Sequence, residues 1–214
     1  METLQKSTIT KRKIMNAATM LFAGKGFEST TTREICTAAD VNLSLISYYF
    51  KTKEGLYACI IDSVLNYGLK YMEKEILETE NLANMSKSEK IELYKRLLNT
   101  FAEFLYSDNV PNSFVILMIK EQTSPNSTFS ELYVKKINIL YSALRRILSS
   151  ITGTVESDKK IIFTVSTIVG QILSWKIMNR ATLQALKQKE YTSEDKKRIN
   201  QIVENFVEEA IMEL

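Results

Sequence analysis

TTREICTAADVNLSLISYYFKTKEGLY, residues 31–57, is the stretch on which the fold turns. Thr31 and Glu34 stand three residues apart, the spacing at which each side chain satisfies a backbone donor at a helix start, and predict a helix from Thr32 to Ala39. Asp40 and Val41 make a turn, Asn42 is placed to cap a second helix over Leu43–Phe50, and Thr52 to cap a third. Ile35, Val41, Ile46 and Phe50 then fall where a small shared core needs them. The other face of the second helix carries Leu43, Ser44, Ser47 and Tyr48. Small, hydroxyl-bearing and flat groups of this kind can approach base edges and phosphates closely. The layout is that of a helix-turn-helix.

Two short amphipathic helices and a turn also occur in helical proteins that never meet DNA. What lies around them narrows the choice. Val41, Ile46, Tyr49-Phe50-Lys51 and Lys53-Glu54-Gly55-Leu56-Tyr57 resemble the "V…L…YHYFKSKEELF" signature of TetR-type transcriptional regulators in order and spacing. The likeness extends back through Thr31-Thr32-Arg33-Glu34-Ile35. Ala17, Leu21, Phe22, Gly24 and Gly26-Phe27 likewise resemble the family's first helix and turn. It implies DNA contact by Thr32, Arg33, Leu43, Ser44, Leu45, Ser47 and Tyr48, with Tyr49 and Lys53 beside phosphates. Many relatives carry Lys or Gly where Leu43 and Ser44 stand and Tyr where Ser47 stands, so a different operator is expected here. Leu43 and Leu45 invite contact with thymine methyl groups, hence an A·T-bearing half-site.

The 214 residues include only six Gly and two Pro and are 45% hydrophobic, which points to an all-α chain with ample core. Residues 1–55 hold eight Lys or Arg against five Asp or Glu, whereas residues 56–214 hold twenty of each. All of the net charge of +3 therefore sits with the reader. Lys11, Arg12, Lys13, Arg33 and Lys53 stand near helix starts, from which each can reach a phosphate. No secretory signal is visible and no apolar run approaches the roughly 18 residues of a membrane span. A cytoplasmic protein with no membrane partner is expected.

Two cysteines and no histidine remove Ser-His-Asp and Cys-His catalysis and His-bearing zinc sites. No glycine-rich phosphate loop is present, and no metal or cofactor is expected. Cys36 and Cys59 read as small buried hydrophobes, with redox sensing as the alternative. The acidic groups Glu73-Glu75-Glu78-Glu80 and Glu204-Glu208-Glu209-Glu213 read as solvated helix faces. The chain is read as a DNA-binding regulator and not an enzyme; the alternative is a helical ligand-binding module or enzyme that does not bind DNA.

Helical periodicity and caps predict about nine main helices in all. The first spans Thr10–Lys25, a long fourth runs from Lys53 to Thr79, and Ser86 with Glu89 opens one ending at Tyr106. Asn112–Gln122 is short and apolar, and Thr128 with Glu131 opens a helix to Ile151. Ser157–Arg180 is apolar over much of its circumference and must be buried on several faces, and Ser193–Met212 is amphipathic. The expected division is a reader over residues 1–52 and an effector-binding and dimerisation domain over residues 53–214.

Phe101, Phe104, Leu105, Phe114, Met118, Tyr133, Tyr141 and Trp175 could wall a small-molecule pocket, with Glu121 and Gln122 orienting the guest. Aromatics and Met at helical spacing are equally the material of an ordinary core. Lys120-Glu121-Gln122 through Pro125 to Phe129, then Leu132-Tyr133 and later Gly170-Gln171, resemble the carboxy-terminal domain of the CecR-like branch of TetR regulators. That resemblance implies an effector-sensing domain. The family's arrangement further implies a homodimer through the last two long helices, a palindromic double-stranded operator, and a repressor released when a small molecule binds.

Overall fold

The computed structural model describes residues 2–107, 110–123 and 130–214, with side chains from residue 6 except at 122, 123 and 130. Its described residues form eleven α-helices and one 3-10 helix. In order they are α1 (Glu2–Lys25), α2 (Thr32–Ala39), α3 (Ser44–Phe50), α4 (Lys53–Tyr71), α5 (Glu73–Glu78), the 3-10 turn Thr79–Asn84, α6 (Lys87–Tyr106), α7 (Asn112–Thr123), α8 (Ser130–Thr152), α9 (Lys159–Ile177), α10 (Asn179–Leu186) and α11 (Ser193–Glu213). The chain divides into two compact units, residues 1–67 with 110–135 and residues 68–109 with 136–214. This division differs from the expected boundary at residue 52 because α7 packs along α1 within the first unit.

In the first unit, Ile14, Ala18 and Phe22 of α1 meet Ile35, Ile46, Phe50 and Leu56 in a core with almost no exposure. α2 opens on the expected capping box and closes at Asp40, whose left-handed backbone makes the turn into α3. α3 starts one residue later than expected: Leu43, not Asn42, is its first boundary residue, and no side chain caps it. Asn42 instead contributes its backbone carbonyl, which accepts from the Leu45 amide at 3.0 Å.

The passage from α3 to α4 is unusually tight. The Thr52 amide donates to the Phe50 carbonyl at 2.8 Å across Lys51, whose φ of 68° and ψ of −57° are those of a γ-turn. Such turns are strained for a residue with a side chain. Gly55 fits beneath: a Cβ there would lie 2.1 Å from the Phe50 carbonyl oxygen. Gly55 stands where the TetR-type signature has glutamate, so this packing belongs to the present chain.

In the second unit, α6, α8, α9 and α11 share a core that includes Leu93, Leu97, Leu144, Ile147, Val165, Ile168 and Val203. Three expectations are corrected. The fourth helix ends at Tyr71, because Met72 turns into the core and Glu73 and Glu75 favour a new helix start. The apolar helix opens on the Asp158 cap and stops at Ile177, with α10 following separately. α1 extends back past Thr10, whose hydroxyl donates to the Lys6 carbonyl inside the helix instead of capping it. Thr128 of the expected third capping box lies outside the described residues.

α9 also departs from expectation in its apolar length: its 19 residues suffice, by length and composition, to cross a membrane. Only part of it is buried, against α6, α10 and α11; Phe163 is 66% exposed.

Gly55→Ala should destabilise the protein by about 1–3 kcal/mol through over-packing, outweighing the roughly 1 kcal/mol that alanine gains over glycine in a helix. Urea unfolding reads this as a lower midpoint at unchanged slope.

Candidate nucleic-acid interface

The outer face of α3 is built from side chains with no place in the core. Tyr48 is 70% and Leu43 48% exposed, and Ser44 and Ser47 are exposed beside them. Leu45 and Tyr49 are half-buried; the Tyr48 and Tyr49 rings meet edge to face at 4.9 Å, which holds Tyr48 away from the core. At the start of α2, Arg33 is exposed and Thr32 half-buried. Of the residues expected in the reader, Arg33 and Leu43 share one surface between α2 and the turn; Ser44, Ser47 and Tyr48 are exposed on α3, and Lys53 is half-buried.

That surface includes a feature not foreseen from the spacing. Arg33, Cys36, Thr37, Asp40, Val41, Asn42 and Leu43 line an open hollow of about 570 Å³ between α2 and the turn. Thr37 and Asn42 carried no periodic signal, since their role depends on the left-handed turn at Asp40. Cys36 is 6% exposed and burial raises its thiol pKa, in keeping with a small core side chain.

Lys53 is differently employed. Its ammonium donates to the carbonyls of Phe27 and Thr30, both at 3.1 Å, and lies 4.2 Å from the centre of the Phe27 ring. One side chain thus joins the turn after α1 to the start of α4. Its partners lie 26 and 23 residues upstream, beyond any local pattern. Arg12, Lys13, Arg33 and Lys51 are among the exposed cations of the same unit.

Behind the reader, Phe22, Phe27 and Tyr57 form a ring triangle with centroids 5.1–5.5 Å apart. The Tyr57 hydroxyl donates to Glu121 of α7, a carboxylate only 7% exposed. Burial first, and the neighbouring carboxylate second, raise the Tyr57 pKa. The adjacent Lys120 donates to the Ala23 carbonyl at 2.8 Å and more weakly to that of Phe22, at the C-terminal end of α1 where a cation is favoured. α7 is thereby pinned to the helix that supports the reader.

The expected effector residues do not all fall in one unit. Phe101, Phe104 and Leu105 are buried on α6, while Tyr141 and Trp175 are half-buried on α8 and α9; all five belong to the second unit. Trp175 packs edge-on to Tyr191 at 6.4 Å. Met118, half-buried on α7, belongs to the first unit, as do the buried Phe114 and Tyr133. The Gln122 side chain lies outside the described residues.

A three-helix reader followed by a helical domain is the plan of a helix-turn-helix transcriptional regulator, and known proteins bear this out. Residues 14–60 match the family described as bacterial regulatory proteins, tetR family, and residues 91–212 match the C-terminal domain of the HTH-type transcriptional dual regulator CecR. The chain belongs to the TetR family and, within it, to the group with a CecR-type C-terminal domain. The CecR regulator of Shigella flexneri is 26% identical over 196 residues, which cover 90% of this chain and 87% of that protein. Solved structures share the fold. FadR of Bacillus subtilis in complex with stearoyl-CoA has a TM-score of 0.60 at 17% identity, covering 92% of this chain and 96% of that one. A TerR/AcrR-family regulator of Aquifex aeolicus has a TM-score of 0.60 at 18% identity, covering 93% and 98%.

The α2 cap supplies a pH prediction. Glu34 accepts from the Lys25 ammonium and from the Thr31 amide and hydroxyl at 2.8 and 2.7 Å, and these partners, Lys25 foremost, hold its carboxyl down from 4.5 to about 2. A pKa lowered on folding adds stability that is complete above the unfolded value and disappears as pH falls through the folded one. Glu34→Gln should therefore remove part of the acid-side loss of stability between pH 4.5 and about 2. Urea midpoints measured across that window in both proteins check it.

Proposed function

We propose that this regulator reads a palindromic operator as a homodimer, through the α3 face of each protomer, and is a repressor released when a small molecule binds its C-terminal domain. The observation that carries the reading is the exposed set Leu43, Ser44, Ser47 and Tyr48 on a helix whose other face is locked in the core by Ile46 and Phe50. Such a helix is rigid enough to present base-reading groups at fixed positions. Leu43 and Leu45 favour thymine methyl groups in the half-site. Arg33 and Lys51, with Arg12 and Lys13, supply phosphate contacts; Lys53 orients the reader and offers a phosphate its one remaining N–H. A regulator of this kind works where the chromosome is, in the bacterial cytoplasm.

Dimerisation is assigned to α9 and α11. These helices pack on each other and expose Phe163, Ile162, Ile202 and Met212, with a groove of about 370 Å³ lined by Phe163, Thr167, Phe206 and Ala210. Exposed apolar surface at this density favours a partner. Ser166 and Thr167 interrupt it on α9, and Glu209 and Glu213 flank it on α11, which suits a second copy better than lipid.

In the functional division, residues 1–52 read DNA, and residues 53–214 sense the effector and dimerise. The effector is received by the second unit, with Phe101, Phe104, Leu105, Tyr141 and Trp175 as its wall. To release DNA it must bind the DNA-incompetent state more tightly, by about 1.4 kcal/mol for each tenfold shift. α4 carries the signal along the chain, and the Lys120 and Glu121 contacts with α1 and Tyr57 give α7 a hold on the reader.

Fluorescence anisotropy on the protein's own upstream DNA separates these roles. Arg33→Ala and Lys51→Ala should weaken binding to all sequences and each reduce the salt slope by about 0.9. Ser44→Ala and Tyr48→Ala should change sequence preference more than slope; equal loss on all sequences for all four variants would remove α3 as the reading element. Phe163→Glu should yield monomers in sedimentation and lower operator affinity at least tenfold, while a dimer that persists would place the interface elsewhere.

A further inference from the structure

Four buried hydrogen-bonding atoms among the described residues of the second unit have no partner: the hydroxyls of Tyr94 and Tyr191, Nε of Arg146 and Oε1 of Gln188. The hydroxyl of Tyr94 on α6 is inaccessible, on a residue with 0% exposure, and bonds to nothing. Nε of Arg146 on α8, a half-buried residue, is likewise inaccessible and unpaired. Lys90 donates to the Ser150 carbonyl at 3.3 Å, so the beginning of α6 lies beside the end of α8. α6 ends beside the end of α9, where Tyr106 donates to the Ile172 carbonyl, and α8 turns back into α9 through residues 153–158 alone. α6 and α8 therefore run antiparallel. One helical turn from the Lys90–Ser150 contact, four residues on along α6 and four back along α8, stand Tyr94 and Arg146. Two of the four orphaned atoms thus occupy the same level of the same helix pair.

Among the described residues no side chain answers these two. Arg146 is half-buried, with its Nε shut off from solvent. The carboxylates around α6 are otherwise placed: Glu89 closes its own capping box, Glu92 and Glu103 are exposed, and Glu204 and Glu208 of α11 accept from Asn99 and Lys95. The Arg146 Nε–H can only donate, and a phenol donates as readily as it accepts. A single acceptor with several lone pairs satisfies both, and a negative one also balances the guanidinium, as water cannot. Around them Leu97, Leu98, Ala143 and Ile147 are all buried and apolar.

We propose that Arg146 and Tyr94 form the anchor of the effector site and that the effector is an organic acid, an oxyanion on an apolar body held between α6 and α8. This rests on the effector-release reading above and adds the chemical class of the ligand. Phe101 and Leu105 continue the same face of α6 about two and three turns beyond Tyr94, where an apolar body would extend.

A matched pair of fluorescent probes tests it on the full chain: 8-anilinonaphthalene-1-sulfonate, which carries an oxyanion, and neutral N-phenyl-1-naphthylamine of nearly the same shape. The sulfonate should bind at one molecule per chain. Arg146→Met should weaken it at least tenfold and Tyr94→Phe severalfold, with the neutral probe changed less than twofold. Arg146→Lys should restore part of the sulfonate affinity, and unliganded Tyr94→Phe should melt no lower than the parent. Failure of the sulfonate to bind, unchanged affinity in Arg146→Met, or equal loss of both probes overturns the site. If the Arg146-dependent sulfonate leaves operator affinity unmoved, the site stands and effector release falls. If another small molecule releases DNA and binds Arg146→Met as well as the parent, release stands and the acid site falls.

Discussion

The reader is only as well aimed as the ammonium of Lys53 allows. Seated on the carbonyls of Phe27 and Thr30 and against the Phe27 ring, it ties the turn after α1 to the first residue of α4. α2 and α3 lie between those two points in the chain, so the tie limits how far they can rotate on α1. The Phe22, Phe27 and Tyr57 rings fill the space behind it, and the γ-turn at Lys51 with Gly55 beneath closes the far end. A recognition helix of seven residues has too few hydrogen bonds to hold itself; its geometry is imposed by these neighbours.

α7 brings this frame within reach of a signal. It belongs to the same compact unit as the reader although more than fifty residues separate it from α3 in sequence. Its Lys120 donates to carbonyls at the end of α1, and Glu121 receives the Tyr57 hydroxyl from behind the ring triangle. In the proposed switch, a displacement of α7 acts on α1 and Tyr57 together, the two supports on which the angle of α3 depends.

What could be read in the sequence was local. The capping boxes at Thr31–Glu34 and Ser86–Glu89 are complete within four residues, and the helices they open begin where expected. The turn at Asp40 and the buried positions Ile35, Ile46 and Phe50 follow from the same short range. Helix ends set by tertiary packing were not legible: nothing near Met72 or Met178 forbids a continuous helix, and α4 stops because Met72 is drawn into a distant core. Lys53 shows the same limit at the site. Its motif marks it as a cation beside DNA, while its partners can be found only once α1 and α4 are brought together. The orphaned Tyr94 and Arg146, 52 positions apart, have no signature at all until α6 and α8 are paired.

The central claim is that two such readers grip one operator together. Hydroxyl-radical footprinting of the full-length protein on its own upstream DNA measures this most directly. The account predicts two protected patches related by a palindrome, centred about 10–10.5 base pairs apart or a multiple of that spacing. Protection of one isolated patch, or uniform protection without sequence preference, would contradict it.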